Sequence, residues 1–175
     1  MSSAEGNAAK LKVPEHELLR LVGRGSYGEV WLARTTLGRF RAVKFVFRSR
    51  FEDDRPYDRE YQGIKKFEPI SRSHPGFVSI LQIGANREEG YFYYVMEAAD
   101  DLSNGSDPAT YIPHTLASEL KERPSKTVRE ASQLGIDIGH ALAALHDAKL
   151  VHRDIKPSNI VFIDRRPRLG DIGLV

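Results

Sequence analysis

The apolar residues of this 175-residue chain change period near residue 100, and that change restricts the folds open to it. Before that point they come in short runs rich in Val, Leu, Phe and Trp: "HELLRLVGRG", "GEVWLARTT", "RFRAVKFVF", "VSILQIGA" and "YFYYVMEA". Gly-containing or polar turns separate the runs, the pattern of five β-strands with tight connections. One interruption has a different spacing. In "DDRPYDREYQGIKKFEPI", Glu60, Ile64 and Phe67 recur at helical intervals, which predicts a single helix bracketed by Pro56 and Pro69. Past the turn-rich "SNGSDPATYIP" the pattern becomes helical. "TLASELKE" predicts a short helix ending before Pro124, and Leu134, Ile138, Ala141, Leu142 and Leu145 keep a helical stripe over several turns. Two short apolar pieces, "NIVFI" and "PRLGDI", follow, with "DRR" as the turn between them. Strands first and helices later predict two lobes of an α+β chain, meeting near residues 97 to 102.

Composition narrows the function classes. Hydrophobic residues make up 41% and charged residues 29%, an ordinary globular balance. A net charge of +2, with both signs mixed throughout, gives no footprint for nucleic acid or an anionic membrane. The chain has no cysteine, which excludes a disulfide framework and thiolate metal sites and suits a cytoplasmic protein. No apolar run is long enough to span a bilayer. The start, "MSSAEGNAAK", lacks the hydrophobic segment of a secretory signal, and residues 1–13 are read as a flexible leader. The six histidines fall in no metal-protease spacing, and most are read as structural.

Five features carry chemistry. "GRGSYGEV", Gly23 to Val30, is a G-x-G-x-x-G pattern. In a dinucleotide fold such glycines open a helix, whereas here they precede "EVWLARTT", a strand. Glycines at the tip of a strand-turn-strand make a flap whose backbone amides can cover phosphates. Lys44 stands inside the apolar strand "AVKF", and an inward ammonium there needs a counter-charge from a phosphate or a carboxylate. Glu60 is the carboxylate placed mid-helix, with Ile64 one turn further along the same face, and is taken as the partner of Lys44. Glu52 precedes Pro56 and Glu68 abuts Pro69, so both are less well placed. In "HRDIKPSN", Asp154 can accept a hydroxyl proton, Asn159 can offer an oxygen to Mg²⁺, and Lys156 can neutralise a transferring phosphoryl group. Asp171 follows beyond the short strand pair as a carboxylate ligand. One amide and one carboxylate suffice for Mg²⁺, which completes its shell with water and phosphate.

Taken in order, "GRGSYGEV", "AVKF", Glu60, "YVMEAA", "HRDIKPSN" and "DIG" resemble a eukaryotic-type protein kinase domain in the form also found in bacteria, from about residue 16 to the end. The resemblance implies a bilobed protein-kinase-like fold: a complete five-stranded N-lobe with one helix over residues 14–98, and an incomplete helical C-lobe with the hinge over residues 99–175. It implies ATP and Mg²⁺ as cofactors. Gly23, Gly25, Ser26 and Gly28 would cover the phosphates, with Val30 and Ala42 above the base and Val161 below it. Met96 would stand at the back of the adenine pocket, and backbone groups of Glu97 and Ala99 would bond adenine. Lys44 would hold the α- and β-phosphates, Asp154 would be the catalytic base, and Asn159 and Asp171 would bind Mg²⁺. "DIKPSN" resembles the serine/threonine-specific loop, so the implied partner is a protein with a Ser or Thr acceptor. Arg153 before the base is typical of members switched by phosphorylation of a downstream loop.

The sequence departs from that pattern in four places. Ile172 replaces the usual Phe of D-F-G, and is expected to pack against Ile64 and His152. The connection "KKFEPISRSHPGF" is long, and Asp101 is a candidate ribose contact in an irregular segment. The activation loop and later C-lobe helices of the family do not follow "DIGLV", so part of the stripe Leu134, Ile138, Leu142 and Leu145 is expected to lie exposed. The leading reading is the N-terminal part of a serine/threonine protein kinase, cut short and poorly active alone. The alternative is a non-catalytic nucleotide-binding or interaction module of the same fold. A small-molecule kinase is a third reading, against which "DIKPSN" tells.

Overall fold

A computed structural model describes residues 11–103, 105 and 107–172 of the chain. Strands β1 (His16–Arg24), β2 (Gly28–Thr35), β3 (Phe40–Phe47), β4 (Ile80–Asn86) and β5 (Tyr91–Glu97) form one sheet in the order β1-β2-β3-β5-β4. Every pairing in it is antiparallel. Alternation along the strands gives the sheet two apolar faces. Trp31, Ala33, Val43, Phe45, Tyr91, Tyr93 and Val95 form one cluster on the outer face. Leu11 and Val13, which the sequence assigns to the leader, are buried in that cluster, at 7% and 5% exposure. The leader therefore does not run to residue 13, because these two side chains close a sheet face that would otherwise meet water. Residues 1–10 of the expected leader lie outside the described residues, as does Gly173 of "DIG".

On the other face, Val46, Phe92 and Tyr94 meet Ile64 and Phe67 of helix α1 (Asp54–Ser73). Pro56 and Pro69 do not bracket this helix; both lie within it. Pro56 sits in the first turn, where its missing N–H has no helical acceptor to lose. Asp53 caps that turn by accepting from the Arg55 N–H at 3.0 Å. Pro69 is on the exposed side of α1, so the helix continues to Ser73. Its buried stripe is Glu60, Ile64, Phe67 and Ser71. The Ser71 hydroxyl accepts from the Ile80 N–H at 3.0 Å and ties the end of α1 to β4.

The second lobe holds α2 (Leu116–Glu122), α3 (Val128–Asp147) and a hairpin of β6 (Ile160–Ile163) and β7 (Arg166–Leu169). Both helices begin with reciprocal caps, Thr115 with Ser118 and Thr127 with Glu130. In the expected exposed stripe of α3, Ile138 and Leu145 are buried in the core shared with α1 and β7, whereas Leu134 and Leu142 are half-buried. The half-buried pair lines an apolar groove with Leu116, Leu120 and Ile160.

Two seams join the lobes. The Val78 N–H donates to the Leu169 carbonyl at 2.9 Å, and the Leu169 N–H to the Gly76 carbonyl at 2.8 Å. From the neighbouring strand, just past the end of β5, the Asp100 N–H donates to the Phe162 carbonyl at 2.8 Å. The Asp100 carboxylate receives the N–H groups of Asp164 and Arg165, both at positive φ in the β6–β7 turn.

Candidate active site

The candidate side chains gather where these seams meet. Lys44 leaves the inner face of β3 opposite Tyr94 of β5 and ion-pairs with Asp171 across the cleft. The Tyr94 hydroxyl also reaches Asp171, at 3.3 Å. Burial, and then the Asp171 and Glu60 carboxylates, push the Tyr94 phenol well above its ordinary range, so it stays a neutral donor. Glu60 is 6% exposed on the α1 face turned to this cluster, not a surface carboxylate. Sequence reasoning did not single out Tyr94. Its signal was the register, since alternation places it on the same strand face as Met96.

Asp154 and its neighbours form a second knot. The Lys156 ammonium donates to Asp154 Oδ2 at 2.7 Å, and Asn159 Nδ2 donates to the same oxygen at 2.9 Å and to the Asp154 carbonyl at 2.8 Å. The Lys156 bond, joined by that of Asn159, holds the Asp154 carboxyl below the usual carboxylate range despite some desolvation. Asp154 is thus an ionised acceptor at neutral pH. The one-turn helix Pro157–Asn159 turns Asn159 inward, where it is buried at 6% exposure. With its Nδ2 committed to Asp154, the side-chain oxygen of Asn159 is the atom left to face a cation.

The knots are linked. The Gly170 N–H donates to the Asn159 carbonyl at 2.9 Å, which sets Asp171, at a φ of 49°, beside the segment that carries Asp154 and Asn159. The His152 ring lies against the Gly170 carbonyl, with Nε2 at 3.1 Å, and Ile172 is buried at 2% in one cluster with Ile64. An amide oxygen and a carboxylate are hard donors of the kind Mg²⁺ takes. The described residues hold no group of three or more His, Cys, Asp or Glu that would suit a softer or fully caged metal.

The glycine turn joins β1 to β2 above Lys44. A Cβ on Gly28 would run into the Phe45 carbonyl, so close packing of β2 on β3 requires glycine there. A Cβ on Gly25 would meet nothing within 4 Å, and one on Gly23 only Val30. Those two glycines leave room for a ligand. Ser26 is exposed at the tip, and Val30, Ala42 and Val161 are half-buried on the strands around the cleft. Met96 and Glu97 end β5, and the Ala99 carbonyl accepts from the buried Tyr111 hydroxyl at 2.9 Å. Asp101 is otherwise engaged. Its carboxylate accepts from the Ser103 and Ile112 N–H groups, both at 2.9 Å, and closes the irregular segment on itself.

Comparison with known proteins follows the same lines. The family model described as protein kinase domain matches residues 16–175. Serine/threonine-protein kinase PknA of Mycobacterium tuberculosis is 35% identical over 169 residues, covering 91% of this chain and 35% of that protein. The DNA damage-responsive serine/threonine-protein kinase RqkA of Deinococcus radiodurans is 31% identical over 163 residues, 91% of this chain and 22% of its own length. Serine/threonine-protein kinase AfsK of Streptomyces griseus is 29% identical over 163 residues, 93% of this chain and 18% of its own. The chain thus spans about a third or less of the relatives it matches. No helix of the described residues is long and apolar enough to cross a membrane.

Proposed function

The chain belongs to the protein kinase domain family, and from that premise we propose that it carries the phosphoryl-transfer site of a serine/threonine protein kinase. The observation that carries the reading is the convergence on one cleft of Lys44, Asp171 and the Asp154–Asn159 pair from three separate segments. In this reading Mg²⁺ and ATP supply the transferable phosphoryl group and the charge that the side chains manage. Asn159 Oδ1 and the Asp171 carboxylate would hold the cation. Lys44 would exchange its contact with Asp171 for the phosphates, and buried Glu60 would steady its ammonium. Asp154, ionised and oriented by Lys156 and Asn159, would accept the proton of an incoming hydroxyl, and Lys156 would face the transferring group. The backbone of Glu97 and Ala99 would meet the adenine edge between Ala42 and Val161, with Met96 behind. The presence of Lys156 and the names of the relatives both support a Ser or Thr acceptor on a protein.

The test is transfer of phosphate from Mg·ATP to a generic Ser- and Thr-containing protein, with Asp154→Ala as the control. Transfer lost in the variant, with Mg·ATP binding retained by calorimetry, is the expected result. A folded wild-type chain that binds Mg·ATP and transfers nothing would leave a nucleotide-binding module instead.

A further inference from the structure

We propose that Arg50 is a positioning residue that clamps the glycine turn from outside and aims the Ser26 N–H at the nucleotide phosphates; this rests on the Mg·ATP reading above. Arg50 ends the one-turn helix Arg48–Arg50 between β3 and α1. Its Nη1 donates to the carbonyls of Gly25 and Gly28, at 3.2 and 3.1 Å, and its Nη2 to Glu29 Oε1 at 2.8 Å. One planar guanidinium therefore serves three acceptors of the same turn, a geometry an ammonium does not reproduce. Glu29 is 2% exposed and is further held by Arg24 at 3.5 Å and by the Trp31 indole N–H at 3.3 Å. The guanidinium also lies over the Phe47 ring, 4.8 Å from its centroid. Glu29 and Phe47 belong to the outer side of the sheet with Trp31 and Phe45, so the grip comes from the face opposite Lys44 and Val30.

The backbone consequence follows from peptide geometry. No peptide bond among the described residues is cis, so the Ser26 N–H points opposite to the Gly25 carbonyl. With that carbonyl held by Arg50, the N–H is turned away from the outer face and toward the cleft. Without the clamp, a turn containing Gly25 and Gly28 has many more backbone states to lose on meeting a ligand. The turn is also tied to α1. The Phe47 N–H donates to the Tyr27 carbonyl at 3.1 Å. The Tyr27 ring stacks on Phe51 at 4.5 Å, and Phe51 meets Tyr57 of α1 edge-on at 5.8 Å. These ring contacts connect the turn to the helix that bears Glu60.

The experiment compares wild type, Arg50→Lys, Arg50→Ala and the double variant Arg50→Met/Glu29→Gln, which leaves no buried carboxylate without its cation. Amide hydrogen exchange is read in the nucleotide-free chain, and the Mg·ATP dissociation constant by calorimetry. Expected is exchange at residues 25–28 faster by about tenfold, unchanged exchange in α3, and a dissociation constant raised by about tenfold, the loss of roughly one charge-assisted bond. Arg50→Lys should recover neither. Wild-type exchange of the turn, or wild-type affinity, in the folded double variant would overturn the clamp. A wild-type chain that bound no Mg·ATP would instead defeat the nucleotide reading and the aiming of Ser26 with it, and the exchange comparison would still decide whether Arg50 holds the turn.

Discussion

A Lys44→Met variant keeps most of the side chain's packing stem and removes the ammonium that meets Asp171. The remaining Asp171 carboxylate is partly solvated and still receives the Tyr94 hydroxyl, so the fold should survive. Phosphoryl transfer should fall by about a hundredfold or more, the usual size for one positioned charge in a cleft, while the melting temperature moves little; unchanged transfer would remove Lys44 from the site. His152 gives a pH prediction. It is 1% exposed, its Nδ1 has no hydrogen-bond partner among the described residues, and burial lowers its pKa against the opposing pull of the Gly170 carbonyl, Asp154 and Asp171. Because the folded pKa lies below the unfolded one, the unfolded chain binds the extra proton first. Stability should be full above about pH 6.5, the unfolded value, and decline as pH falls toward the folded one. Asp154, with its depressed pKa, adds a loss only below about pH 4. Melting curves from pH 7 to 5 should therefore flatten in His152→Gln, and an unchanged slope would count against a neutral buried imidazole. At this scale the sequence could show which residues carry charge but not whom they meet. Helical spacing pointed from Lys44 to Glu60, but it could not show the ion pair of Lys44 with Asp171, a residue distant in the chain that only the closing of the two lobes brings near.

Element boundaries were legible where caps mark them and less so where proline misleads. "TLASELKE" opens on its cap Thr115, and its helix starts at Leu116, within a residue of where the sequence puts it; α3 starts at Val128 behind the Thr127 cap, ahead of the stripe that begins at Leu134. Helix α1 runs past Pro69 because that residue lies on the exposed side, where the carbonyl left without a helical donor meets water. The α3 cap is testable. Thr127 Oγ1 accepts from the Glu130 N–H at 3.3 Å, and Glu130 returns to the Thr127 N–H at 2.8 Å. Thr127→Ala should cost about 1 kcal/mol of stability, the typical loss of a Thr cap. The Glu130 carboxyl is held down to about 2, chiefly by Arg123 and then by Thr127. With the folded pKa depressed, its contribution is present above about pH 4.3, the unfolded value for Glu, and fades as pH falls toward the folded one. Glu130→Gln should then show a shallower acid limb than wild type in a melt series between pH 5 and 2. Equal slopes would mean that the box is formed but contributes no stability.

Two lobes were readable from the change of hydrophobic period, but the seam between them was not, because backbone pairing of Gly76 and Val78 with Leu169 leaves no mark in composition or spacing. The same holds for Arg168. In sequence it is one of several arginines in "DRRPR"; in the structure its Nη1 donates to Glu97 Oε2 at 2.7 Å, joining β7 of one lobe to the end of β5 in the other. The pair is largely shielded, with side-chain exposures of 14% and 27%. Glu97 Oε2 also receives the Ser79 N–H at 3.0 Å, so one carboxylate gathers three segments just where the adenine edge would bind. Removing Arg168 alone should leave Glu97 partly buried without its cation and cost about 1–3 kcal/mol. Glu97→Gln keeps an acceptor for Ser79 and should cost less. A double-mutant cycle of Arg168→Met and Glu97→Gln, read by chemical denaturation, isolates the pair from these separate losses. A coupling of about 0.5 kcal/mol or more would mark the pair as part of what fixes the lobes relative to each other. A coupling near zero would assign that task to the backbone seam at Leu169 and the Asp100 turn alone, and Mg·ATP affinity should then be indifferent to Arg168.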